Sequence, residues 1–520
     1  MLIPKEPVAR PGGHFKEGLF CGVTRRRDTG SPRAFVCREN HWNIFGRNGS
    51  AKFVSNGAFV SAFNRRGGGL FISPKSDEWT NFGVQRGADP RLWERSQSLG
   101  RSLGVNPVVT RDPPRVTASW FVPNGRCFIV APENDSQFEG SCWNPLMDCG
   151  IAPEGAAIPE AWSRLIAVCG SPFPAADPGS NRDSFWWQSP TAALAAASAF
   201  ILCTDPRPGH WNLAYALRWV LGYDENPGRF GYDEHGRLKV AVGSPLMQQV
   251  HFREMAMASE LLDGQVAMAG NALLQMGEKT FGGVNAELQA KANFLVDPRY
   301  QRVMGRSDFS LEEIGADPEW PVSAYFSPVA GEGEEPLAFL RMAYRLGSQI
   351  FLKRDFKPEH PIVVVGDEIG SSWGRGLRHE VLNLHTYGRF RNVMCINYWQ
   401  DLSQTYSALG REGAQTALAN SAQMFFGGAC REGREYLRER LGEKTIHIGG
   451  FGRQRERRQV ELASSDAIDR DLNMGSSLAY VLPSSSRPVC VRRVAFKTIR
   501  TPEGAVYEGL PGVRGHYSEF

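Results

Sequence analysis

The sequence predicts an α/β protein with a central, mostly parallel sheet and an all-helical insertion. Three observations carry this expectation. Apolar β-like runs at Ile362–Val365, Val393–Ile396 and Met424–Phe426 recur about every thirty residues, with helix-compatible segments at Leu377–Tyr387 and Gly410–Asn420 between them. That alternation is the pattern of right-handed βαβ units. Before Pro145, short apolar runs such as Trp42–Phe45, Leu70–Ile72 and Cys127–Val130 are punctuated by Gly, Pro and Asn, as strands joined by loops are. From about Pro159 to Leu352, apolar residues instead recur at three- and four-residue spacing.

The helical middle comprises Ala161–Val168, Thr191–Leu202, Leu213–Leu221, Gln248–Leu262, Gln265–Met276 and Leu337–Phe351. Met255, Met257, Met268 and Met276 fall here and read as core rather than as a methionine-rich binding groove. The expected divisions are therefore 1–150 for the first part of the sheet domain, 151–352 for the helical insertion and 353–520 for the second part. A chain of 520 residues has room for two to three such units.

Composition narrows the function classes. Hydrophobic residues at 42% and charged residues at 22% are a globular balance. The excess of 59 basic over 55 acidic residues is too small to hold nucleic acid by bulk charge, so any such site is local. No run approaches the ~20 apolar residues that cross a bilayer. The ten cysteines are dispersed with no C-x-x-C pair, and the ten histidines show no zinc spacing, which argues against a metalloenzyme and for reduced thiols.

Chemistry concentrates at strand ends. Ile362–Gly366 is apolar on both faces and runs into Asp367–Glu368. Such strands lie inside parallel sheets, whose carboxyl ends bind ligands. Asp367 there can hold Mg²⁺ through water, and Glu368 can orient an attacking water for phosphoryl transfer. The neighbouring strand ends at Gln400, placed to sense a γ-phosphate or that water. Upstream, His41–Phe45 runs into Gly46–Arg47–Asn48–Gly49–Ser50–Ala51–Lys52–Phe53. The phosphate-loop pattern is G-x-x-x-x-G-K-[ST]. Gly46 and Lys52 keep its spacing, and Gly49 and Ser50 lie in the cradle. Ala51 replaces its second glycine and Phe53 its hydroxyl residue, so a Cβ enters the backbone cradle and one Mg²⁺ ligand is lost.

These elements coincide with a family pattern. The sequence resembles the type IV secretion coupling proteins, the TraG/TraD-like ATPases of conjugative DNA transfer. Gly69–Leu70–Phe71–Ile72–Ser73–Pro74–Lys75 resembles the strand that ends in D-P-K-G-E, with Ser73 in place of Asp. Trp143–Asn144–Pro145–Leu146 resembles its N-P-L segment, and Phe185–Trp186 the start of its helical domain. Gln400–Asp401–Leu402–Ser403–Gln404–Thr405–Tyr406 resembles Q-D-[LIF]-x-Q, and Leu441–Gly442–Glu443–Lys444–Thr445 resembles L-G-x-x-T.

The resemblance implies a RecA-like P-loop NTPase fold working as a hexamer around a channel, with ATP and Mg²⁺ between subunits. It implies that Lys52 holds the β/γ-phosphates, Asp367 the Mg²⁺, Glu368 the attacking water, and that Gln400 couples nucleotide state to its strand. Arg389, in Gly388–Arg389, would be an arginine finger toward the next subunit. Arg375, Arg378 and Arg391, with Tyr387 and Phe390 interleaved, suit a loop facing single-stranded DNA. Partners implied are DNA or a secreted protein and the type IV secretion subunits. The membrane helices of most full-length members have no counterpart in these residues, so the expected location is cytoplasmic, peripheral to the inner membrane through partners. The altered phosphate loop keeps a second class open, a non-hydrolysing adaptor that retains the fold. A double-stranded-DNA translocase outside secretion shares the same elements.

Overall fold

The computed structural model describes residues 19–25, 32–37, 41–47, 68–74, 126–132, 141–152, 156–174, 184–225, 234–235, 239–318, 321–328, 335–370, 372–374, 376–448, 456–484 and 486–493. Gly49, Ser50 and Lys52, together with Ala51 and Phe53, lie outside the described residues, as does Arg375.

The strands in chain order are β1 (Leu19–Arg25), β2 (Pro32–Cys37), β3 (Trp42–Phe45), β4 (Gly69–Ile72), β5 (Arg126–Val130), β6 (Val322–Phe326), β7 (Ile362–Gly366), β8 (Val393–Trp399), β9 (Ala422–Phe425), β10 (Glu443–Ile448), β11 (Glu456–Glu461), β12 (Leu478–Leu482) and β13 (Val489–Arg492). Eleven of them form one sheet in the order β2-β1-β13-β12-β9-β3-β8-β7-β4-β6-β5. From β9 to β5 every neighbour is parallel, and from β9 outward through β12, β13, β1 and β2 every pairing is antiparallel. β10 and β11 make a separate hairpin.

The parallel strands are largely apolar on both faces because helices cover both faces. Every residue of β3, β4, β6, β7, β8 and β9 is buried. Helix α1 (Ala161–Cys169) is followed by α2 (Phe185–Thr204), whose Ala193–Ala197, Ala199, Ile201 and Leu202 are all at most 3% exposed. A helix apolar on all sides must be surrounded, and α2 is the axis of the helical region. Around it lie α3 (Leu213–Val220), α4 (Pro245–Met257), α5 (Gln265–Gln275), α6 (Glu278–Ala292) and α7 (Pro298–Met304).

The joint between helices and sheet is the Trp143–Leu146 segment. Trp143 is fully buried and meets Phe326 of β6 edge-on at 4.8 Å. Its Nε1 donates to Asp148 at 2.7 Å, and Asp148 also accepts from Ser310 Oγ and from the Leu311 amide. Burial raises the Asp148 pKa, against the pull of those hydrogen bonds.

One stretch inside 151–352 departs from the all-helical expectation. Val322–Phe326 is a strand, inserted between β4 and β5, and α8 (Glu335–Lys353) packs back onto the sheet through Gly347 against Leu70. Five buried residues, four of them apolar, fit a central strand or a buried helical turn equally well by pattern, and tertiary packing decides. The crossovers α9 (Arg378–Tyr387) and α10 (Leu402–Ala419) lie where βαβ spacing puts them, followed by α11 (Arg431–Leu441) and α12 (Ser465–Asp471). Of the methionines, Met255 is buried, whereas Met257 and Met268 are 74% and 67% exposed. These two are surface residues, not core, because they lie on the outer faces of α4 and α5. Among the described residues no helix is long and apolar enough to cross a membrane.

Candidate functional site

The sheet order creates a crevice. From β3 the chain moves past β8 and β7 to reach β4, whereas from β8 it moves the opposite way, past β3, to reach β9. Such a reversal of direction marks the carboxyl ends of β3 and β8 as the place where open α/β sheets form a ligand cleft. All strands bordering it are parallel, so Gly46, Ser73, Asp367, Gln400 and Phe426 follow strand ends at one edge.

Asp367 follows β7 and is 8% exposed. Its amide donates to Ile72 O at 2.8 Å, and Trp373 Nε1 donates to its carbonyl at 2.9 Å. Ser73 Oγ donates to Asp367 Oδ2 at 3.1 Å. The residue that departs from the expected Asp at 73 is thus a direct partner of the predicted metal ligand. A Ser beside one buried carboxylate avoids the like-charge repulsion that a second acid would bring.

Glu368 has φ 49°, in the left-handed region, although it is not glycine. Such a backbone costs ~1–2 kcal/mol and persists only where its surroundings hold it. The next amide, Ile369 N–H, donates to Tyr398 O of β8 at 3.1 Å, so both sides of the strained residue are tied to the sheet. The strain turns the chain out of β7 at once and presents the Glu368 side chain at the partly exposed edge.

Gln400 ends β8, between β3 and β7. Its amide donates to Gln404 Oε1 at 3.0 Å, and Asp401 caps α10 by accepting from the Gln404 amide at 3.0 Å. Gly46 is buried and its amide donates to Trp399 O at 3.1 Å. Gly46 and Asp367 therefore follow strands with only β8 between them, two strand spacings or about 10 Å apart. Arg47, exposed, leans on Gly428 at the end of β9. It is the cation that directly follows Gly46 among the described residues.

Of the predicted set, Gly46, Asp367, Glu368 and Gln400 are brought to one edge. Arg389 is not. It is exposed in the turn before β8, at the amino edge, about 20 Å from Gln400 along a seven-residue strand. Tyr387 and Phe390 beside it are 58% and 75% exposed, and Arg391 stacks on Phe390 at 5.7 Å.

Beneath the cleft lies a buried polar hub. Asn43 of β3 accepts from Trp399 Nε1 at 2.8 Å, donates to Ser421 Oγ at 2.8 Å and lies 3.1 Å from His385 Nε2. His385 Nδ1 is 2.9 Å from the Val381 carbonyl and donates to it, so its Nε2 is the acceptor. Burial lowers the His385 pKa to about 4, opposed by the Val381 hydrogen bond. His41 accepts the Cys395 amide through Nδ1 at 3.2 Å. Burial first, then His385 and Arg389, lower its pKa to about 3. An Asn within the apolar run Trp42–Phe45 was the available signal, since buried polar groups demand partners.

This is a RecA-like α/β fold. No protein-family model matches the sequence, and no curated protein matches it significantly. Solved structures do. The bacterial conjugative coupling protein TrwBdeltaN70, in its unbound monoclinic form, superposes with a TM-score of 0.58 at 16% identity, covering 91% of this chain and 89% of that one. The plasmid coupling protein TrwB in complex with the non-hydrolysable GTP analogue GDPNP gives 0.56 at 15%, covering 94% and 90%. TrwB in complex with ADP and Mg²⁺ gives 0.54 at 15%, covering 90% and 87%. The chain has the TrwB fold across nearly its whole length.

Proposed function

We propose that this chain is a coupling-protein-like NTPase of a type IV secretion or conjugative DNA-transfer system, recruiting or moving DNA or protein substrate with ATP. The observation that carries the reading is the acid pair. Asp367 is anchored and partnered by Ser73, and Glu368 is held in a strained turn on a strand separated from the Gly46 strand by the one ending in Gln400. The fold it shares with a protein solved with ADP and Mg²⁺ adds support.

In this reading Lys52 meets the β/γ-phosphates, while Gly46, Gly49 and Ser50 shape the loop that receives them. The oxygen donors Asp367 and Ser73 suit Mg²⁺, a hard cation that prefers such ligands. When bound, Mg²⁺ supplies neutralisation of the charge that develops on the phosphate oxygens. Glu368 orients the attacking water and accepts its proton. Gln400 senses the γ-phosphate position and passes it to β8. Arg389 reaches a nucleotide only from a neighbouring subunit, because its own chain places it at the opposite edge. A homo-hexamer in the cytoplasm, held near the inner membrane by secretion partners, is the assembly this requires. The test is Mg²⁺-dependent ATP turnover. Glu368→Gln is expected to lower kcat by about 10²-fold or more with unchanged melting, whereas no turnover by assembled protein, with or without DNA, overturns the motor.

A second reading is favoured by Ala51, Phe53 and Ser73 together: an adaptor that keeps the fold without hydrolysis. It predicts weak or absent nucleotide binding and a partner held by the helical region. Tight ATP binding in calorimetry, lost in Lys52→Ala, counts against it.

A further inference from the structure

Two turns of the cleft touch through one side chain. Gln404 lies in the first turn of α10, and its Oε1 accepts the Gln400 amide at 3.0 Å. The same side chain lies against Gly370, two residues after Glu368. A Cβ added at Gly370 would overlap Gln404 Oε1 and sit 2.9 Å from both its Cβ and its Cδ. Only glycine allows the acid turn to approach this closely. The backbone bond from Ile369 to Tyr398 runs beside this contact, so the two turns are fastened at two points.

We propose that Gln404 is a positioning residue: it latches the Asp367–Gly370 turn to the end of β8, so that Glu368 and Gln400 shift together. The proposal rests on the nucleotide reading for its catalytic consequence but not for its structural one. Gln404 itself is polar and partly buried, and its amide-bearing first helical turn already has Asp401 as a cap. The Gln404 side chain is therefore not needed to start α10. Its acceptor holds the strand end, and that hydrogen bond fixes where its stem meets the acid turn. Gly410, with φ 70° and ψ 162°, breaks α10 after Leu409, leaving the first half of the helix as a separate lever that carries Gln404.

The test uses the full chain and three substitutions. Gln404→Met keeps the bulk and removes the acceptor, Gln404→Glu restores an acceptor, and Gly370→Ala drives the turns apart. Hydrogen exchange without nucleotide is read over residues 366–376 and 398–404, with melting as the control. Loss of one ordinary hydrogen bond is worth about tenfold in exchange. Gln404→Met and Gly370→Ala are expected to speed exchange in both segments by about that factor, and Gln404→Glu to stay near wild type. Where the protein hydrolyses ATP, kcat falls in Gln404→Met with KM unchanged and recovers in Gln404→Glu. Exchange that quickens in only one segment, or in neither, overturns the latch. A wild type without turnover leaves the exchange result standing and overturns the motor reading alone.

Discussion

The two edges of the parallel sheet are built from similar residues to different ends. At the carboxyl edge, Asp367 and Glu368 are held at a partly open rim, with a strained backbone at Glu368 and a hydroxyl partner at Asp367. At the amino edge, His41 and His385 are sealed in and neutral, His385 joined through Asn43 to the underside of the cleft and His41 accepting the Cys395 amide. The first edge keeps Glu368 and Gln400 partly exposed, whereas both imidazoles at the second are buried. The contrast teaches that β3 is fixed from below, by the buried hydrogen bonds of Asn43 to Trp399, Ser421 and His385.

The sharpest way to break this contrast is at Asn43. Asn43→Leu leaves Trp399 Nε1 and His385 Nε2 without their hydrogen-bond partner inside the sheet, while Ser421 Oγ keeps the Ala417 carbonyl. Buried groups stranded in this way cost about 1–3 kcal/mol each. We expect a loss of about 3 kcal/mol in urea unfolding, larger than Ser73→Ala produces at the open edge. A variant as stable as wild type removes Asn43 as the anchor.

Acid sharpens the same comparison. Unfolded histidines protonate near 6.5, but folded His385 and His41 do so only near about 4 and about 3. Between those values the unfolded chain binds more protons, so stability is full above pH 6.5 and is lost as pH falls toward 4. The slope is at most about 1.4 kcal/mol per pH unit from each ring. Denaturation midpoints from pH 7 to pH 4.5 should fall accordingly, less steeply in His385→Gln. An equal slope in that variant removes His385 from the account.

The smallest effect is expected at Arg389. It is exposed, so Arg389→Ala should change stability by no more than about 0.5 kcal/mol. If it acts as a finger on a neighbour, turnover falls only under conditions where chains assemble. A turnover loss in isolated chains contradicts the placement of Arg389 at the far edge.

Much of this was legible in the sequence, and for physical reasons. Ile362–Gly366 and Val393–Trp399 announce parallel strands because both their faces must be apolar, and crossover spacing then sets α9 and α10. Asp367, Glu368 and Gln400 follow as strand ends. Val322–Phe326 was hidden, since a five-residue buried run has no period to separate strand from helix. Arg389 was legible as a cation but not as a position, because an edge of a sheet is a property of strand direction. Ser73 and Gln404 depend on contacts with residues 294 positions away or in another turn, which no local pattern encodes.

The central claim is that the carboxyl edge takes a nucleoside triphosphate between the loop after β3 and the acids after β7. Calorimetric titration of ATP with and without Mg²⁺ into the wild type, Lys52→Ala and Asp367→Asn addresses it directly. Saturable, Mg²⁺-dependent binding that disappears in both variants is the predicted result. Binding that survives both substitutions, or no binding at millimolar nucleotide, would contradict it.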